Sequence, residues 1–237
     1  MSRRIAEVFV ALLAIAVISL ASVENTQSAK QARNYTEHAP IYIYGDAEFT
    51  AANGVVSGSG TATDPYIIEG WEIYANNTHG IHVKDTLANF TIRNCKIYGG
   101  KANAKIGIFF DNVNYGKIEN CKIYDNHNGI YFHADISEII RCEIYNNSLY
   151  GIYSPYSDHN NITGNYVYNN SNYGISLGSA HNNNITGNYV YNNPKYGICL
   201  GNAPNNNITG NYVYNSPNCG IYIKYLSNNN LVKDNII

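Results

Sequence analysis

Asn161-Ile162-Thr163-Gly164-Asn165-Tyr166-Val167-Tyr168 recurs from Asn184 to Tyr191 and again from Asn207 to Tyr214, 23 residues apart each time. Outward from these copies the unit persists in weaker form. Gly107, Gly129, Gly151, Gly174, Gly197 and Gly220, each followed by Ile, stand 22, 22, 23, 23 and 23 residues apart, with Gly80-Ile81 one longer step earlier. Tyr74, Tyr98, Tyr124, Tyr145, Tyr168, Tyr191 and Tyr214 keep the same beat at 24, 26, 21, 23, 23 and 23, each after Ile or Val. A period in the twenties is the mark of a solenoid.

Within a unit the apolar residues alternate over short stretches (Val-Tyr, Ile-Ser-Leu, Ile-Tyr-Ile) at period two and never at 3.6, which excludes helical repeats. Asn, Gly and Ser separate the stretches, and Pro155, Pro194, Pro204 and Pro217 fall between them, where a missing N–H costs no ladder bond. A leucine-rich repeat needs a long amphipathic stretch that is absent, and a propeller blade needs about twice the length. The expected fold is all-β: a right-handed, single-stranded parallel β-helix of about seven coils of 21–26 residues over 71–237, with an N-terminal cap and incoming strand over 41–70 and a linker over 22–40.

The alternation assigns faces. Ile73, Ile97, Ile123, Ile144, Val167, Val190 and Val213 point inward, so Trp71, Cys95, Cys121, Cys142, Asn165, Asn188 and Asn211, two positions earlier, do too. The Ile after each glycine forms a second inward column. Interior Asn is tolerable only if its amides bond to copies above and below, and Asn126, Asn147, Asn170 and Asn193 suit the same device in the turn after the Tyr column. The glycines supply either backbone angles or close packing that a Cβ would forbid.

Residues 1–21 have the form of an export signal. Arg3 and Arg4 precede an apolar run from Ile5 to Leu20 broken by Glu7 and Ser19, and Ser19-Leu20-Ala21 offers a cleavage site; a retained anchor or a cut near Ala6 are the alternatives. Each places the remainder outside the cytoplasm, extracellular or at the cell surface. No later segment is apolar for long enough to span a membrane. Only 14% of residues are charged and the net charge is −2, which excludes an electrostatic nucleic-acid binder. Amide and phenol take the place of charge, with 38 Asn and 23 Tyr.

The stretch Gly58-Ser59-Gly60-Thr61, Asp64-Pro65-Tyr66-Ile67-Ile68 and Glu69-Gly70-Trp71, followed by the Asn-Asn-Ile-Thr-Gly-Asn coils, resembles secreted right-handed β-helix proteins whose repeats are shared by carbohydrate-binding proteins and sugar hydrolases, and among them the NosD-like group. The resemblance runs from about residue 54 to the end. It implies the fold, and a functional range that covers polysaccharide lyases, glycosidases, surface and adhesin-like proteins, and accessory proteins of copper-site assembly.

Tyr166, Tyr168, Tyr189, Tyr191, Tyr212 and Tyr214 form a two-by-three outward grid. Their ring faces suit sugar C–H bonds and their hydroxyls suit sugar OH groups; stacking that only supports the solenoid, or a protein contact, would use the same residues. A lyase or hydrolase needs converging carboxylates with a cation or a raised-pKa acid. Asp111 and His133 share a column four residues after the glycine, with Asp85 and Asp135 near and His82 on the adjacent outer face, and that cluster is the catalytic candidate. No acidic residue occurs between Asp158 and Asp234. The Cys95, Cys121 and Cys142 column suits a soft metal, a disulfide or small buried hydrophobes, whereas Cys199 and Cys219 lie in different columns and are not expected to pair. No cofactor or resident metal is expected, because the histidines do not share columns. Sequons at Asn34, Asn76, Asn89, Asn146, Asn161, Asn169, Asn184 and Asn207 are candidate glycan acceptors. The stretch Asn230–Ile237 aligns with the repeat but stops mid-coil, so an end-on protein contact joins a polysaccharide as an expected partner. The expectation is therefore an exported carbohydrate-binding or structural module, with a polysaccharide-degrading enzyme and a NosD-type copper accessory as alternatives.

Overall fold

The computed structural model describes residues 34–237. The expected signal over 1–21 and most of the linker lie outside them. The described chain is the expected right-handed parallel β-helix: three sheets of eight, nine and eight strands, each coil laying one short strand on each. Sheet A carries Trp71–Tyr74, Lys96–Tyr98, Lys122–Tyr124, Glu143–Tyr145, Tyr166–Tyr168, Tyr189–Tyr191 and Tyr212–Tyr214; sheet B follows with Ile81–Thr86 through Cys219–Lys224; sheet C closes each coil, from Phe90–Arg93 to Leu231–Lys233. Register between coils keeps like on like, as in Tyr166↔Tyr189↔Tyr212 and Ile162↔Ile185↔Ile208. The solenoid begins earlier than the expected boundary, since Thr36–Glu37, placed in the linker, pairs with Trp71–Glu72 at the edge of sheet A.

The core is the inward alternation of all three sheets. Both expected inward columns are buried, apart from a half-buried Ile221, and Phe90, Phe110 and Phe132 form a third stack. Trp71 heads its column half-buried, its Nε1–H donating to Gly54 O at 2.8 Å, where the cap folds under the first coil. Phe49 of the cap stacks on Tyr66 at 4.7 Å and meets Phe90.

Each corner needs a sharp bend, and a left-handed residue supplies it. At the C-to-A corner that residue is Asn94, Asn120 and Arg141 in early coils and Gly164, Gly187 and Gly210 in late ones. Asn and Gly are the residues for which this conformation is least strained. The coil glycines serve packing instead. A Cβ on Gly174 would stand 2.4 Å from Val190 Cγ1 and 2.7 Å from Gly197 O, and Gly107, Gly129 and Gly151 face the same obstacle.

Asn ladders run inside the corners. Asn126, Asn147, Asn170 and Asn193 form one, and Asn165, Asn188, Asn211 and Asn235 a second, each side-chain oxygen accepting the backbone N–H of the coil before it. A third, unforeseen ladder of Asn160, Asn183, Asn206 and Asn230 lines the B-to-C corner. In the second ladder Cys95, Cys121 and Cys142 precede the asparagines; all three are buried free thiols donating to backbone oxygens.

Candidate functional site

Outward side chains split the surface into two chemistries. On sheet A the column preceding the inward Ile and Val reads Glu72, Lys96, Lys122, Glu143, Tyr166, Tyr189, Tyr212, and the next outward column is tyrosine from Tyr74 to Tyr214. The charged half is paired within itself: Lys96 to Glu72 at 2.7 Å and Lys122 to Glu143 at 3.4 Å.

From Tyr98 to Tyr214 successive rings lie 4.9–5.3 Å apart with planes within 7° of parallel, and Tyr166, Tyr189 and Tyr212 repeat this at 4.9 and 4.8 Å. Parallel rings at that distance overlap face to face, because coplanar rings would bring edge carbons inside their contact distance of about 3.5 Å. The faces expected to receive sugar C–H bonds are therefore covered in part by neighbouring rings, while Tyr166, Tyr212 and Tyr214 remain 40–48% exposed. Burial pushes the Tyr145 phenol up to about 12, and burial together with a 2.9 Å bond to Glu143 raises Tyr168 further. These hydroxyls remain neutral donors at any ordinary pH.

Sheet B carries the catalytic candidates. Of the four catalytic candidates the fold brings two together: His133 Nδ1 lies 3.4 Å from Asp111 Oδ1. The group that completes them was missed. Lys84 Nζ sits 3.0 Å from Asp111 Oδ2, and the column count would have found it, because Lys84 is four residues after Gly80 as Asp111 is after Gly107. Burial works to raise the Asp111 carboxyl, but hydrogen bonds to Lys84 and His133 outweigh it and hold it low. A carboxylate on Nδ1 favours the tautomer whose Nε2 is free to accept a proton. Asp85 lies at the edge, 4.0 Å from Lys84 and accepting a bond from Asn112. Asp135 serves the corner instead, accepting the Asp158 backbone N–H at 2.6 Å.

His82, expected on the outer face, is outward yet 9% exposed. Its ring stacks on Phe109 at 4.3 Å, Tyr44 of the cap places its hydroxyl 3.2 Å from Nδ1, and Nε2 is buried without a hydrogen-bond partner. Burial, aided by neighbouring His79, drives its pKa down to about 4. His79 is spoken for through Nδ1, which accepts the Ile106 N–H at 3.1 Å.

Comparison with solved structures places this fold beside polysaccharide-modifying proteins. A mutant of the periplasmic alginate epimerase AlgG matches at 20% identity with a TM-score of 0.65, over 73% of this chain and 45% of that one. The A-module of mannuronan C-5 epimerase AlgE4 from Azotobacter vinelandii gives 18% and 0.56 over 72% and 59%, and pectate lyase Pel9A gives 13% and 0.58 over 77% and 54%. At such identities the likeness is one of fold. The chain spans about half the length of these proteins. No curated protein matches the sequence.

Residues 16–149 and 68–237 match the family described as periplasmic copper-binding protein (NosD). Copper calls for imidazole, thiolate or thioether donors within coordination reach. Among the described residues no three His, Cys, Asp or Glu side chains are placed to hold a metal ion. His79 and His82 adjoin, but each Nδ1 is engaged and no third donor joins them, so the residues present do not compose a copper centre. The matched stretches together run from residue 16 to the last residue, and the chain belongs to the NosD family of parallel β-helix proteins.

Proposed function

We propose that this chain is an extracytoplasmic glycan-binding module whose contact surface is the outer face of sheet A over its last three complete coils. The observation that carries the proposal is the pair of tyrosine rows, Tyr166, Tyr189, Tyr212 and Tyr168, Tyr191, Tyr214, repeated in register on the outer face with ring on ring. A polymer of identical units is the natural ligand of a surface made of identical units. Phenol hydroxyls and flanking amides match the hydroxyl-rich surface of a sugar chain. The periplasmic family description and the alginate, mannuronan and pectate named for the structural neighbours support the compartment and the ligand class.

The Lys84, Asp111 and His133 cluster supports a second reading, a polysaccharide-modifying enzyme in which His133 Nε2 takes a proton while Lys84 and Asp111 set its surroundings. One experiment separates the two. Purified full chain is incubated with immobilised polysaccharides, and retention and release of new sugar ends are recorded in the same wells. Retention without release, lost when Tyr189 and Tyr191 are both changed to Ala, is the expected result. Release that disappears in Asp111→Ala would replace the binding module by the enzyme.

A further inference from the structure

Resting on the glycan-binding reading, we infer that the sheet A face takes a neutral, linear, unbranched polysaccharide laid along the solenoid axis, one sugar unit per coil and with no unique register. Charge makes the first selection. Between Asn160 and Tyr214 the only charged side chain is Lys195, and its ammonium lies 5.3 Å from the Tyr173 ring, beside sheet B and away from the grid. A uronate or sulfated chain on sheet A would thus lose water from its anions with no cation to receive them. The ionic groups at the head of the rows are already engaged: Glu143 by Tyr168 and Lys122, and Arg141, whose Cγ lies 3.8 Å from where a Cβ on Gly164 would be, by Glu119 at 3.4 Å.

Periodicity makes the second selection. Ring spacings of 4.8 and 4.9 Å along both rows leave the coils interchangeable, so a ligand matched to one coil is matched to the next only if it repeats with nearly the same rise. An extended 1,4-linked hexopyranose chain has that geometry; a branched or strongly coiled one does not. The flanks agree. Asn215 Nδ2 donates to Asn192 Oδ1 at 3.1 Å beside the second row, and beside the first nothing stands within 4 Å of where a Cβ on Gly187 or Gly210 would be, so that flank of the face is unobstructed over these two coils. Equivalent coils also mean that the ligand shifts by one unit without loss, so longer chains gain binding positions as well as contacts.

The test measures affinity of the full chain for β-1,4-linked gluco-oligosaccharides of increasing length, for oligogalacturonates of matching length and for alginate, each at low and high salt. Affinity for the neutral series should climb until the chain covers the uniform coils and rise only slowly beyond, without change on adding salt. The Tyr189→Phe, Tyr191→Phe double variant retains the ring stack, and with circular dichroism and Tm unchanged it should bind at least tenfold more weakly. Tighter binding of the uronates, or binding that collapses in salt while still depending on Tyr189 and Tyr191, overturns the neutral-ligand inference and leaves the glycan site standing. Absence of binding to every probe, or binding indifferent to the double variant, overturns both.

Discussion

Asn188→Ala is the sharpest test of what holds the coils together. Asn188 Oδ1 accepts the Asn165 backbone N–H and side-chain amide, both at 3.0 Å, while its Nδ2 donates to Ile162 O at 2.8 Å and Asn211 Oδ1 at 2.9 Å. Two of the four partners survive the loss. Asn165 Nδ2 keeps Ile139 O, and Asn211 Oδ1 keeps the residue 188 N–H. Of the other two, the Ile162 carbonyl keeps its place in the parallel ladder with Asn184–Thr186, so only the Asn165 N–H is stranded inside the solenoid; at about 1–3 kcal/mol for a stranded buried group and about 1 kcal/mol for the bond that Ile162 loses, the cost is about 3 kcal/mol. Asn184→Ala is the control: its amide donates to Asn161 Oδ1 and accepts from Asn207 Nδ2 at 3.4 Å, both on the exposed outer face, so its removal should change stability by less than about 0.5 kcal/mol. Guanidinium unfolding of the two variants, with slopes unchanged from the parent, gives the difference directly. Midpoints equivalent to within about 1 kcal/mol would refute the claim that the inward ladders, rather than shape alone, hold the corners.

His82 makes the fold acid-sensitive. Its pKa is depressed to about 4 in the folded chain, so between pH 6.5 and about 4 the unfolded chain binds a proton there that the folded chain refuses, and stability falls on acidification through that window, by about 3 kcal/mol at most. His82→Phe, the residue of the next coil at Phe109, should flatten that part of a urea-midpoint profile against pH. Gly174→Ala, which drives a Cβ into Val190 and the Gly197 carbonyl, should cost about 3 kcal/mol, whereas Gly187→Ala, left-handed but with open space around it, should cost about 1 kcal/mol; equal Tm shifts would contradict the packing argument. Cys95, Cys121, Cys142 and Cys199 are buried and free, and burial with hydrogen bonding pushes Cys95 and Cys121 well up, so a thiol reagent at neutral pH should modify Cys219 alone until the chain unfolds.

The inward half of this structure was legible because its constraints are local and repeated. Alternation places Ile73 and Val167 in one column whatever the turns do, and an Asn two positions before Val190 must be buried and must therefore be bonded. The ladder through Asn160 keeps the beat, at 23, 23 and 24 residues, but escaped because it is embedded in runs of asparagine. In Asn182-Asn183-Asn184 three identical residues meet three fates: left-handed corner, buried ladder, outward strand. Residue type alone does not separate them. Ring orientation was equally hidden, since a column of tyrosines is compatible with splayed or overlapping rings, and the coil spacing decides for overlap only once the register is fixed. His82 shows the reverse effect: its own strand places it outward, and Tyr44, 38 residues earlier, helps to bury it.

Because the inward columns alone maintain the solenoid, the outward columns are free to change coil by coil, and here they change abruptly. Four residues after the coil glycine, Lys84, Asp111 and His133 give way to Pro155, Gly178 and Gly201; on sheet A the Glu and Lys column gives way to tyrosine after Glu143. The inward side crosses the same boundary with no charge on either side of it: Cys142 becomes Asn165, Phe132 becomes Ser154 and then Leu177, and Ile144 becomes Val167, all of them buried. Folding therefore demands nothing of this transition, and the loss of charge from the later coils is a property of the surface. A surface that sheds every carboxylate between Asp158 and Asp234 while repeating Tyr-Val-Tyr three times is the surface that the neutral-polysaccharide proposal requires. The reactive groups, if the second reading holds, sit at the other end of the same rod, on a different sheet, where a polymer held on sheet A does not reach them without leaving its rows.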